Sequence, residues 1–122
     1  MRTFPLGYSA TYSLKYSGGG GLWDDGTPSG NGWVYLSWFG YINLNYDPWI
    51  YHLQHRWMFP VGQSTVAGIW LYTFDMEWLW TSQSVYPWMY RRWDGAWLFY
   101  VKGTENPRWF FNNLTSRYEA YW

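Results

Sequence analysis

The chain has 122 residues, enough for one domain with a single core and little to spare. Eight basic residues balance eight acidic ones and only 13% of the chain is charged, which argues against nucleic acid or an anionic membrane as the principal partner. Cysteine is absent, which removes disulfides and cysteine metal sites, and aromatic residues make up 27% of the chain, so ring packing must replace much of the aliphatic core.

The first predicted element is a strand in residues 1–17. Tyr8, Ala10, Tyr12, Leu14 and Tyr16 alternate with Ser9, Thr11, Ser13 and Lys15, which gives a strand with one apolar and one wet face. From Ser17 to Gly32 there are seven glycines in sixteen residues, a composition that reads as a linker (18–32) rather than regular structure. A flexible tether of that length reaches on the order of 20–25 Å. The strand therefore has two possible sites, an edge of its own domain or the edge of a neighbour, and a two-faced strand on a tether is what strand addition to another subunit requires.

Residues 33–122 form the third region. Trp33–Phe39 and Tyr41–Tyr46 read as strands on either side of a kink or bulge at Gly40. A short phrase, tryptophan, any residue, aromatic, then recurs: Trp49-Ile50-Tyr51, Trp57-Met58-Phe59, Trp70-Leu71-Tyr72, Trp78-Leu79-Trp80, Trp88-Met89-Tyr90, Trp97-Leu98-Phe99 and Trp109-Phe110-Phe111. The phrases come in pairs that begin at residues 49, 70, 88 and 109, so a unit of about twenty residues is repeated. In each phrase the outer residues share one strand face and the middle one (Ile50, Met58, Leu71, Leu79, Met89, Leu98) takes the other, so both faces are apolar.

The connectors His52–Arg56, Thr73–Glu77, Arg91–Ala96 and Asn112–Arg117 suit hairpins. Asp94-Gly95 between apolar runs is a type I′ turn signal in which both central residues take positive φ. Pro48, Pro60, Pro87 and Pro107 sit at unit edges, where a missing N–H does least harm to a ladder. The expected fold class is all-β: antiparallel sheet built from repeated aromatic-rich hairpins, closed as a sandwich, a small barrel or an elongated sheet.

Evidence for catalysis is weak. His52 and His55, the only histidines, occupy a hairpin connector with no third ligand of comparable standing nearby, so surface or turn histidines are expected rather than a metal site. Asp75 and Glu77 have no acidic counterparts in the other units and read as a solvated turn. No nucleophile constellation or phosphate loop is present, so no enzyme activity, cofactor or metal is expected. Arg91-Arg92-Trp93 reads as a cation–π turn. No run approaches the ~20 apolar residues of a transmembrane helix, and Met1–Pro5 lacks a signal-peptide core, so a secreted form would have lost its leader or carry it outside this sequence.

The phrases Trp38-Phe39-Gly40-Tyr41, Pro48-Trp49-Ile50-Tyr51-His52, Trp78-Leu79-Trp80-Thr81, Tyr86-Pro87-Trp88-Met89-Tyr90 and Pro107-Arg108-Trp109-Phe110-Phe111 resemble an uncharacterised aromatic-rich module at the C-terminal ends of predicted secreted bacterial proteins. That resemblance covers about residues 33–122 and implies an extracellular or cell-surface setting, with no activity attached. A looser likeness is to choline-binding and other cell-wall-binding repeats, through Gly32-Trp33-Val34-Tyr35 and Gly68-Ile69-Trp70-Leu71-Tyr72, and it implies aromatic ligand cages.

Two functions are therefore expected. The first is a self-assembling extracellular subunit of a fibre or surface layer, a homo-oligomer or polymer in which Tyr8, Ala10, Tyr12, Leu14 and Tyr16 complete a neighbour's sheet. The rings of Trp49, Tyr51, Trp57, Trp70, Tyr72, Trp78, Trp80, Trp88, Tyr90, Trp97 and Trp109 stack at the interface. The second is a carbohydrate or cell-wall-binding module that uses the same rings as sugar platforms.

Overall fold

The structure, a computed structural model, describes residues 21–62 and 64–122. The strand arm with Tyr8, Ala10, Tyr12, Leu14 and Tyr16 lies outside the described residues. Among them the fold is all-β: β1 (Thr27–Gly30), β2 (Trp33–Leu36), β3 (Gly40–Asn43), β4 (Ile50–His52), β5 (Arg56–Pro60), β6 (Ile69–Thr73), β7 (Glu77–Thr81), β8 (Trp88–Arg91), β9 (Ala96–Tyr100), β10 (Arg108–Asn112) and β11 (Arg117–Tyr121). They form one antiparallel sheet in strict chain order, and β1 and β11 do not pair, so the sheet is not closed into a barrel. The copied phrases are successive rungs: Tyr51 opposes Trp57, Tyr72 opposes Trp78, Tyr90 opposes Trp97 and Phe111 opposes Tyr118.

The sheet is rolled. In a flat sheet β4 and β10, six strands apart, would be separated by about 25–30 Å. Instead the His55 ring, in the turn after β4, lies 2.9 Å from the Arg108 guanidinium of β10. Rolling makes one face concave and the other convex, and side chains sort by size accordingly. The middle residues of the phrases (Ile50, Met58, Leu71, Leu79, Met89, Leu98, Phe110) point inward and are fully buried, with Ile42, Ile69, Phe39 and Met76. The large rings stand on the convex face, half-buried or exposed, where diverging strands leave room for them.

Glycine-rich composition concealed part of the domain. From Gly21 onward the stretch read as a linker folds with the sheet: Thr27–Gly30 pairs with β2, and Trp23 is buried to 1% exposure, stacked on Phe39 at 5.9 Å. One aromatic side chain supplies the apolar area that overrides the local preference for irregular chain.

The hairpins share one turn that periodicity did not reveal. Each first strand ends in a buried polar residue (His52, Thr73, Arg91, Asn112), and four residues later the chain takes a positive φ, at Arg56 (68°), Glu77 (57°), Gly95 (71°) and Ser116 (58°). The Asp94-Gly95 turn is thus not the expected type I′. The loop between Arg91 and Ala96 has four residues, and Gly95, not Asp94, takes the positive φ, with its N–H on the Arg91 carbonyl at 2.9 Å. Only one of the four positions carries the residue that suits this conformation. Gly95→Ala is expected to lower stability by about 1 kcal/mol, and Glu77→Gly to raise it by somewhat less. Urea midpoints of both variants check this; equal effects of the same sign would contradict it.

Candidate functional site

Two parts of the molecule carry recognisable chemistry, the convex aromatic face and the polar side chains inside the roll. On the convex face the rings meet mostly edge to face. Tyr51 and Trp57 lie 5.0 Å apart at 75°, Tyr72 and Trp78 5.3 Å at 71°, Trp80 and Trp97 6.1 Å at 90°, Trp88 and Phe99 5.0 Å at 66°, and Trp70 and Tyr90 6.3 Å at 80°. Trp49 packs on Phe59 and lies nearly parallel to Phe74, 5.2 Å away at 21°. Trp109 meets Tyr118 at 6.5 Å. Each such pair contributes about 0.5–1.5 kcal/mol beyond area burial, because ring edges and faces carry opposite partial charge. The structure thus places all eleven repeat aromatics singled out from the sequence in ring–ring contact.

Exposure on this face is uneven. The β10–β11 hairpin carries several bare apolar groups, Trp122 at 73% and Tyr118 at 63% exposure, with Trp109 against Tyr118 and Leu114 in the turn, while Phe74 in the β6–β7 turn is 70% exposed.

Inside the roll, both histidines are buried rather than placed at the surface. The His52 Nδ1 accepts from the backbone N–H groups of Gln54 and His55, so its Nε2 carries the hydrogen and donates to the Phe39 carbonyl at 2.7 Å. The His55 Nδ1 accepts from Arg108, so its Nε2 donates to the Tyr86 hydroxyl at 2.8 Å. Both rings are therefore held neutral. Burial pushes His52 down to about 4 and His55 well below the usual imidazole range, with Arg108 adding in the same direction. Burial pushes the Tyr86 hydroxyl well above its ordinary value.

Arg108 also donates to Asp75, so Asp75, exposed in the β6–β7 turn as expected, is tied to this network as well, and Glu77 is exposed. Among the described residues no group of three or more His, Cys, Asp or Glu could hold a metal ion.

A second network surrounds Arg91, which is buried and reaches Asp94, Glu119 and Tyr121, with Trp93 under its guanidinium at 4.7 Å. The cation–π turn read from Arg91-Arg92-Trp93 is present. Its ion pair to β11, 28 residues away, has no local signature.

The polar residue that ends each first strand caps its own turn in three of the four hairpins. His52 accepts from residues 54 and 55, the Thr73 Oγ1 from Met76, and the Asn112 Oδ1 from Leu114 and Thr115. Around Arg91 the task falls to Asp94, whose carboxylate accepts from the Ala96 N–H. The signal was available in the sequence as a polar residue three places after Trp49, Trp70, Trp88 and Trp109.

No family model, curated protein or solved structure matches the chain. No helix of the described residues is long and apolar enough to cross a membrane.

Proposed function

We propose that this chain is a self-associating structural module of an extracellular fibre or surface layer, in which β11 accepts a strand from a neighbouring copy. The carrying observation is the contrast between its two sheet edges. β1 is four residues long, contains Pro28 and Gly30, and has a register break between them, features that blunt an edge. β11 is five residues long, contains no proline, glycine or lysine, and pairs regularly along its whole length with β10. Beyond it, among the described residues, no strand follows.

Tyr118 and Trp122 add exposed ring area on the same edge, and large exposed apolar patches mark interaction surfaces. The donor is the arm Tyr8–Tyr16, whose Tyr8, Ala10, Tyr12, Leu14 and Tyr16 face would extend the apolar side of the sheet. Sparse charge and the aromatic- and glycine-rich composition support the extracellular setting. The edge-to-face packing of the convex rings weighs against their use as a row of sugar platforms, because ring faces are covered by neighbouring edges.

Light scattering and negative-stain microscopy of the whole chain test the proposal. The full chain is expected to give oligomers or filaments, whereas a chain lacking residues 1–17 and a Tyr118→Lys variant give monomers with unchanged circular dichroism. A monodisperse full-length monomer, or assembly that survives both changes, would overturn it.

A further inference from the structure

At one end of the roll the β2–β3 turn faces the β9–β10 loop across a cleft of about 180 Å³. The wall is aromatic, from Tyr35, Trp38 and Tyr86, and the rim is polar, from Ser37, Gln54 and Lys102. Trp38 lies flat on Phe39 at 4.8 Å and meets the edge of Tyr86 at 6.1 Å. The Tyr86 hydroxyl is tied to His55, which fixes the ring against the core. The wall is therefore preformed, and the end of a rolled sheet is a common place for small-ligand sites.

Hydrogen-bonding character narrows the ligand. Lys102 supplies an ammonium, with its Nζ 5.7 Å from the centre of the Tyr86 ring, and no carboxylate lines the cleft. An ammonium donates only, and the amide of Gln54 and the hydroxyl of Ser37 both donate and accept. A complementary ligand is small, flat on one face, rich in acceptors and anionic. The volume is about that of one sugar ring.

We infer that this cleft binds a single carboxylate-bearing sugar ring, a hexuronate, with Trp38 and Tyr86 against the ring and Lys102 on the carboxylate. The ring could be a free sugar or the terminal residue of an acidic polysaccharide. The site is distinct from the convex aromatic face and from the β11 edge, so it does not rest on the self-association proposed above.

Titration calorimetry and tryptophan fluorescence of the whole chain test it with glucuronate, galacturonate, a short oligogalacturonide, glucose and acetate as probes. A uronate or the oligouronide is expected to bind about tenfold more tightly than glucose, with acetate silent. Lys102→Gln removes that preference, and Trp38→Ala, which removes the ring wall, weakens all sugars together. Binding of the monosaccharide and binding of the oligomer each support the proposal, and their ratio identifies the source. Saturable binding of neither, equal affinity for glucose and the uronates, or an unchanged preference in a folded Lys102→Gln variant would overturn it.

Discussion

Acidification from neutrality toward pH 4 is expected to remove about 3 kcal/mol of folding stability through His52 alone, with His55 adding in the same direction. The folded His52 titrates near 4 and its unfolded counterpart at 6.5. Between these values the unfolded chain binds a proton that the native one refuses, so stability is full above 6.5 and falls as the pH drops through this window. The physical obstacle is local. A proton on the Nδ1 of His52 would face the N–H groups of Gln54 and His55, and one on the Nδ1 of His55 would face the Arg108 guanidinium.

For a small domain, 3 kcal/mol is a large share of total stability. Urea unfolding followed at pH 7 and at pH 5 measures about 2 kcal/mol of this loss, and coincident midpoints at the two values would refute it. The repeat itself offers the control. In the last hairpin Asn112 occupies the His52 position and caps its turn with an amide oxygen. His52→Asn is therefore expected to keep the cap, to cost about 1–2 kcal/mol at neutral pH through the lost ring packing, and to flatten the pH dependence markedly.

The hairpin ladder was legible because it rests on local, periodic constraints: ring-bearing residues two apart around an aliphatic one, with polar connectors at matching places. Sequence patterning did not settle which face of the ribbon is the core, since both are apolar. Curvature decides that. The concave side of a rolled sheet has less room per residue and takes Ile50, Met58 and Leu71, while Trp57, Tyr72 and Trp80 take the diverging convex side. The roll is set by contacts between residues far apart in the chain, such as His55 with Arg108 or Phe39 with Tyr86, and no short-range pattern announces them. The same reason explains why two histidines in a polar connector proved to be buried. Trp23, alone in a glycine-rich stretch, shows the converse case, a single anchoring residue that carries no periodicity.

Truncating Arg91 is the substitution expected to damage the fold most. Its five N–H groups are all committed. Nε and one Nη2–H go to the two oxygens of Asp94, at 3.1 and 2.7 Å, one N–H from each Nη goes to Glu119, at 2.8 and 3.1 Å, and the remaining Nη1–H goes to the Tyr121 hydroxyl at 2.8 Å. Lysine, with three donors on one nitrogen, cannot reproduce a planar fork of this kind. Arg91→Met is expected to cost about 3 kcal/mol, because Glu119 and Tyr121 remain in a partly buried setting without their cation, and Arg91→Lys, which keeps the charge but loses the fork, is expected to cost less. If the loss arises from the orphaned carboxylate rather than from packing, Arg91→Met combined with Glu119→Leu should recover a substantial part of it, and a double variant no more stable than the single one would refute that account. The acid limb separates the two explanations further. Hydrogen bonds from Arg91 hold the carboxyls of Asp94 and Glu119 below the usual carboxylate range. Their contribution is therefore present above about pH 4 and lost as the pH falls through the lowered values. In Arg91→Met that second acid step disappears while the histidine step at higher pH remains. Because Arg91 joins the β8–β9 hairpin to β11, its removal also frees the edge on which the proposed strand addition depends, so assembly is expected to weaken with the fold, whereas Tyr118→Lys weakens assembly alone.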